Sequence, residues 1–483
     1  MPADRIAAFI SVALDPDQDA PLYVQLFEQL RDLILDGRLK TRQRLPSTRA
    51  LADDLGVSRT TTLAAYEHLM SEGYIEGRRG SGAYVAAHLP EDLLLARAPR
   101  CEEPRKPEPA ETQTAGRPAI VPFDPGAQDA RLFPFAEWSR HLARTWRAPD
   151  TDLLHHKNSF GHAPLRAAIA AHLRDMRGID CQAAQVAITS SAAESVAIVA
   201  RAVTSARDTV LVEDPGYLAT YRALEGTGAH VVPLAVDAQG FALANADSSA
   251  ATAQAVVITP SRHYPLGMTM PLARRLELLK WAEDSGAWII EDDYDSEYRY
   301  VGRPLSALMS LDQSGQVIYL GSFSKTMFKS LRLGFVIVPE RLVGRLSETL
   351  AEVGSSASAI AQPALAEFMA SGQFAAHIRR MRRLYAERQK ALLAALDEHL
   401  AGVIEAPRQS AGMHIPAFFS EALAARMSDT EAVRRLNEAG LAATPLSTHY
   451  RQAPPRHGLL LGFAAFEPND LRRAVAQMAM VLK

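Results

Sequence analysis

Five short apolar runs, "QVAITS", "TVLVED", "AVVITP", "AWIIEDD" and "QVIYLGS", alternate with helix-patterned stretches between residues 185 and 322. Runs this short, with no polar alternation, suit strands covered on both faces, and the helices between them supply the cover. The larger part of the chain is therefore expected to be α/β, a mainly parallel sheet with flanking helices. From about residue 385, "RQKALLAALDEHL" through "DLRRAVAQMAMVLK" mixes helices and strands, which predicts a smaller C-terminal α+β subdomain.

At 483 residues the chain exceeds one ordinary domain. "RAPRCEEPRKPEPAETQTAGRP" is rich in Pro, Glu and Arg and nearly free of large apolar residues, so it cannot build a core. It predicts a linker over residues 89–120, between a domain at 1–88 and one at 121–483. The net charge of −3 means that any nucleic-acid surface must be local. Cys101 and Cys181 are too few for a disulfide framework. The first residues lack a basic run, and no apolar stretch of about 18 residues follows, so a cytoplasmic chain without membrane contact is expected. No metal site is expected.

Within residues 1–88, "PLYVQLFEQLRDLILDG" has apolar residues at three- and four-residue spacing and ends in Gly37. "STRALADDLG" predicts a short helix, and "SRTTTLAAYEHLMSEG" a third helix capped by Ser58 and stopped by Gly73. "YIEGRRGSGAYV" alternates around a Gly/Arg turn and predicts a hairpin. Three helices and a hairpin make a winged helix-turn-helix. "RLKTRQRLPSTR" carries five basic residues and no acid, and the hairpin tip adds Arg78 and Arg79. The third helix opens on a cap, a guanidinium and hydroxyls, the groups with which a recognition helix meets phosphates and base edges. A solvated charged face would look the same on charge alone; helix order, caps and the Arg-Arg-Gly wing favour double-stranded DNA.

"LPSTRALADDLGVSRTTTLAAYEHLMSEGYIEGRRGSGAYV" resembles the winged-helix domain of the GntR family. By that resemblance the DNA contacts are Arg44, Ser47 and Arg49; Ser58, Arg59, Thr60 and Thr61; and Arg78, Arg79 and Gly80. Leu55, Val57, Leu63, Tyr66 and Leu69 are expected in the core.

The second constellation centres on "GSFSKTMFKSLRLGF", where Lys325 follows an apolar run and so stands at a strand's C-terminal end. A lysine there is a solvated side chain, a phosphate contact or a Schiff-base former. Ser322, Ser324 and the planar fork of Arg332 favour a phosphorylated ligand. A Schiff base to pyridoxal 5′-phosphate (PLP) further needs a carboxylate for the pyridinium nitrogen. "WIIEDDYDSEYRY" offers Asp292, and Tyr294 lies on the same side of an extended chain. Tyr217 in "VEDPGYLATY" offers a ring face, and Ser191 and Ala192 open a helix whose N-terminus suits phosphate. In "TPSRHYPLG", His263 either faces the ligand or satisfies its own loop.

These pieces resemble the fold type I PLP-dependent enzymes, the aspartate aminotransferase class, from about residue 120 onward. The resemblance implies that Lys325 holds the aldehyde, Asp292 pairs the ring nitrogen, Tyr294 binds the phenolic oxygen and Tyr217 stacks on the ring. Ser191, Ala192, Ser322, Ser324 and Arg332 then hold the phosphate. With the GntR-like part, the whole chain is similar to the MocR (GabR-like) regulators. That similarity implies a head-to-tail homodimer on repeated or paired half-sites. The implied signal is PLP itself, or a small amine or amino-acid-like effector that displaces Lys325 as an external aldimine. No residue is assigned a catalytic role. The rival reading is a working aminotransferase with an appended DNA-binding domain. Against it, Leu460 and Ala219 stand where such enzymes carry carboxylate-binding arginines; Arg222, Arg451 and Arg456 are the possible substitutes.

Overall fold

The computed structural model describes residues 12–78, 81–89, 121–149, 151–155, 158–246, 252–302, 305–354 and 357–483. The chain forms two compact units, residues 1–115 and 116–483. The linker expected at 89–120 lies outside the described residues, apart from Leu89.

In the first unit, α1 (Leu22–Leu35), α2 (Thr48–Leu55) and α3 (Arg59–Ser71) precede a hairpin of β1 (Ile75–Arg78) and β2 (Gly82–Val85). α1 buries Leu26, Phe27, Leu30, Leu33 and Ile34, one apolar stripe at helical spacing. Ser47 and Ser58 cap α2 and α3 through their side chains, each cap being worth about 1 kcal/mol. Thr62 Oγ1 donates to the Thr48 carbonyl at 2.8 Å and Tyr66 Oη to the Pro46 carbonyl at 3.0 Å, tying α3 to the start of α2. Tyr66 and Leu69 are core, whereas Leu63 is 42% exposed, contrary to expectation. The buried stripe of α3 runs Thr62, Ala65, Tyr66, Leu69, and Leu63 stands one residue, about 100°, off it.

The second unit is built on a seven-stranded sheet in the order β3-β9-β8-β7-β6-β4-β5 among the described residues. Its strands are β3 (Val186–Thr189), β4 (Thr209–Asp214), β5 (His230–Ala235), β6 (Ala253–Ile258), β7 (Trp288–Asp293), β8 (Val317–Ser322) and β9 (Gly334–Ile337). All five apolar runs are strands of this sheet. Val210, Val257, Ile290 and Ile318 pack on one face, and Leu211, Val256, Ile289 and Val317 on the other. Burial of both faces is why the runs are apolar without alternation.

β9 is the exception to parallel pairing, lying antiparallel between β3 and β8. The C-terminal part forms an antiparallel sheet of β10 (Ile404–Glu405), β11 (His414–Phe419), β12 (Thr444–Pro445) and β13 (Gly458–Gly462). Two long helices, Gln373–Leu400 and Pro468–Leu482, pack together beside it. No helix among the described residues is long and apolar enough to cross a membrane.

Candidate functional site

On the first unit, Arg44, Ser47, Arg49, Ser58, Arg59 and Thr60 are exposed and Thr61 is half-buried. Ser58 Oγ accepts the Thr61 N–H at 3.1 Å and lies 2.8 Å from the hydroxyls of both Thr60 and Thr61, so the first turn of α3 presents an organised set of polar groups. The Arg78 guanidinium lies over the Tyr84 ring at 4.7 Å, and residue 44 bridges to Tyr84. That pairing brings Arg44 to the base of the hairpin. Arg79 and Gly80 lie outside the described residues.

On the second unit, the C-terminal ends of the parallel strands open into a cleft of about 560 Å³. Every residue named for a cofactor lines it: Lys325, Asp292, Tyr294, Tyr217, Ser191, Ala192, Ser322, Ser324 and Arg332. The placement follows from the topology. Asp292 is the last residue but one of β7 and Ser322 the last of the adjacent β8, Tyr294 is the first residue past β7, and Ser191 is the N-cap of helix Ala192–Val203 after β3. Lys325 sits on a loop whose two ends are paired neighbours, Ser322 opposite Gly334. Phe323 N–H donates to the Leu333 carbonyl at 3.0 Å, and Tyr298 Oη donates to the Lys325 carbonyl at 3.0 Å.

Burial lowers the Lys325 amine to about 8, with Lys329 acting in the same direction and Asp295 and Asp124 against it. Burial pushes the Asp292 carboxyl up to about 7, and the nearby Asp293 and Asp295 add to the effect. Such a carboxyl gains from a cationic partner, which a pyridinium nitrogen supplies. Around Ser191 a helix N-terminus, serine hydroxyls and Arg332 gather the donors that a phosphate dianion needs. Tyr217 is 41% exposed at the cleft and meets the Tyr264 ring edge-on at 5.2 Å. The donor set fits PLP.

Several cleft residues were missed in the sequence: Asp124, Thr259, Tyr264, Lys329 and Thr444. They come from loops, one three-residue 3-10 turn and a two-residue strand, where no periodicity tells which way a side chain points. His263 is buried away from the cleft, its Nε2 3.9 Å from Glu213, and burial pushes it down to about 3. Its neighbour Arg262 is the functional surprise of that loop. It is 2% exposed, and its Nη1 lies 2.8 Å from Tyr294 Oη, 3.1 Å from Asp295 Oδ2 and 3.0 Å from His414 Nε2.

The three possible carboxylate clamps stay outside the cleft lining. Arg451 covers the Tyr221 ring at 5.0 Å, Arg456 covers Phe418 at 3.6 Å, and Arg222 is exposed. Leu460 is fully buried in β13 opposite Pro416.

Residues 128–477 match the aminotransferase class I and II family, and residues 22–85 match the gntR family of bacterial regulatory proteins. A probable rhizopine catabolism regulatory protein MocR of Rhizobium meliloti is 40% identical, covering 96% of this chain and 94% of that protein. The pyridoxine biosynthesis transcriptional regulator PdxR of Corynebacterium glutamicum is 31% identical, with 98% of each chain covered. Among solved structures, kynurenine aminotransferase of Pyrococcus horikoshii superposes with a TM-score of 0.68 at 23% identity, covering 77% of this chain and 91% of that one. That last likeness carries the fold alone.

Proposed function

Because this chain belongs to the MocR-type regulators, in which a gntR-family domain precedes a class I and II aminotransferase domain, we propose that it is a PLP-binding transcriptional regulator. Residues 1–88 read double-stranded DNA, 89–120 link, and 121–483 sense the ligand, with the small subdomain beginning near residue 385. The DNA contacts are Arg44, Ser47, Arg49, Ser58, Arg59, Thr60, Thr61, Arg78, Arg79 and Gly80. Two copies in a head-to-tail dimer present two readers to repeated half-sites.

The observation that carries the reading is the cleft, where one buried amine, one buried carboxyl and a phosphate-shaped donor set converge. When bound, PLP supplies an aldehyde for which Lys325 and a ligand amine compete. Asp292 would pair the ring nitrogen, Tyr294 the phenolic oxygen and Tyr217 the ring face; Ser191, Ala192, Ser322, Ser324 and Arg332 would hold the phosphate. The signal is a small amine or amino compound, or PLP itself. Among the described residues the cations lining the cleft are Lys325, Lys329 and Arg332, and neither expected arginine position supplies one, which suits an effector that lacks an α-carboxylate or carries another acid group. Binding shifts the protein between two states that differ in their affinity for DNA.

Transaminase turnover is the second reading, favoured by the complete Lys325, Asp292 and Tyr294 set. Absorption spectra of the protein with PLP, wild type beside Lys325→Ala, titrated with amines, separate the two. A visible band in wild type only, shifted by an amine without pyridoxamine phosphate, supports the sensor. Conversion to pyridoxamine phosphate, reversed by a keto acid, supports the enzyme. No band in wild type removes the cofactor from both.

A further inference from the structure

Arg262 belongs to none of the groups that contact the cofactor in the reading above. It lies one layer beneath Tyr294, 2% exposed, and holds its position through several contacts. Nη2 donates to the His414 carbonyl at 2.7 Å, while Nη1 faces Tyr294 Oη, Asp295 Oδ2 and His414 Nε2. The plane of the guanidinium packs against Gly412, where a Cβ would come within 2.4 Å of Arg262 Cζ. The loop on which Gly412 sits thus admits the arginine only because that residue is glycine, and at a φ of 97°.

A guanidinium has protons to give and no lone pair to accept with. Toward Arg262, then, Tyr294 Oη acts as acceptor, and the phenol's own proton cannot be spent there. Nη1 carries two protons for these three neighbours, and a hydrogen bond from it to His414 Nε2 needs that nitrogen unprotonated. Burial, Arg262 and Lys325 all hold His414 well below its ordinary value, in agreement. The His414 ring lies nearly parallel to Tyr294, 9° between planes with centroids 6.4 Å apart, and the Tyr264 ring meets Tyr294 edge-on at 5.7 Å. The direction left for the Tyr294 proton is the cleft, which Tyr294 lines beside Lys325 and Asp292.

We propose that Arg262 is a positioning residue that makes Tyr294 an obligate hydrogen-bond donor to the phenolic oxygen of the cofactor. The inference rests on the PLP reading of the cleft. A donor aimed at that oxygen favours its anionic form, and the buried cation behind the donor strengthens the bond. The charged and titratable groups facing this cluster are Asp292, Asp295, Lys325, His414, His449, Tyr264 and Tyr300. None but Arg262 is a permanent cation.

The experiment is a pH titration of the visible band of the PLP-loaded full-length protein, for wild type, Arg262→Gln, Tyr294→Phe and the double variant. The expected result is a midpoint raised by about one pH unit in each single variant. Removing Arg262 from the Tyr294→Phe protein then adds little, because the arginine acts through the phenol. An unchanged midpoint in Arg262→Gln overturns the inference. So does full additivity in the double variant, which would mean that the arginine acts by charge alone. Should Arg262→Gln fail to fold, Arg262→Met, which removes donor and charge alike, carries the comparison: a raised midpoint supports the role, and the wild-type midpoint overturns it. A wild type without any band would overturn the cofactor reading first, and this inference with it.

Discussion

Asp214 Oδ1 accepts the backbone N–H of Arg451 at 2.8 Å, and its second oxygen accepts those of Gln452 and Ala453, each at 2.7 Å. Beside it, the Gly216 N–H donates to the His449 carbonyl at 3.1 Å. The turn that carries Tyr217 is therefore fastened to residues 449–453, just past β12. A carboxylate with three N–H partners has no substitute in an amide, which offers one oxygen and turns its own N–H groups toward the others. Asp214→Asn is expected to cost about 2 kcal/mol. It should lower the urea midpoint at unchanged m and speed the loss of PLP by freeing the Tyr217 turn.

Lys325 gives a pH dependence with a defined sign. Its amine sits at about 8 in the fold against an ordinary 10.5. Between those values the unfolded chain holds a proton that the folded chain does not, so cofactor-free protein gains stability as pH rises through that window. Below about 8 the charged amine is buried at full cost. Only the neutral amine attacks an aldehyde, so the rate at which the visible band grows on adding PLP should rise with a midpoint near pH 8. A midpoint near 10 would show that the cleft does not desolvate the amine.

Asp292→Asn removes the charge that a pyridinium nitrogen meets. A charge-assisted hydrogen bond is worth about 1.5–3 kcal/mol, so PLP affinity should fall roughly 10- to 100-fold, read by equilibrium dialysis. DNA binding by the PLP-free protein should not change.

Arg59→Ala should weaken binding to an operator selected from a random pool and lower the salt slope by about 1 if the guanidinium meets a phosphate. Fluorescence anisotropy at several salt concentrations measures both. Ser58→Ala, by contrast, should destabilise the first unit by about 1 kcal/mol through loss of the cap.

Gly462 lets Asp124 and Pro125 approach: a Cβ there would stand 2.0 Å from the Asp124 carbonyl oxygen and 2.7 Å from Pro125 Cα. Gly462→Ala must displace the segment that brings Asp124 and Gly126 to the cleft. Overpacking of this kind costs about 1–3 kcal/mol and should speed PLP release, as followed by gel filtration and absorbance.

Much of this fold was legible in the chain because burial on both faces leaves an unmistakable pattern, as in "TVLVED" and "AWIIEDD". β5 was not legible: it lies at the edge of the sheet, is only partly buried, and so lacks that pattern. β9 is four residues long and follows the Lys325 loop so closely that nothing in "RLGFVIVP" announces an antiparallel return. In the cleft, Asp292 and Tyr294 could be found because a strand end fixes where their side chains emerge, and Lys325 because its loop directly follows one. Arg262 could not, since its role depends on β11, some 150 residues later, bringing His414 against it. Leu63 misled for a simpler reason, being apolar on the wrong face of a helix.

The antiparallel return of β9 beside β8 has a consequence for occupancy. With Ser322 and Gly334 held as sheet partners, the Lys325 side chain stays within reach of the cleft whether or not it is bonded there. In the proposed sensor, an amine competing for the cofactor's aldehyde would face a rival of high effective concentration that never diffuses away. Retention would then depend on the ligand's other contacts with the cleft. A tethered competitor of this kind would make the site a gauge of present concentration rather than a trap.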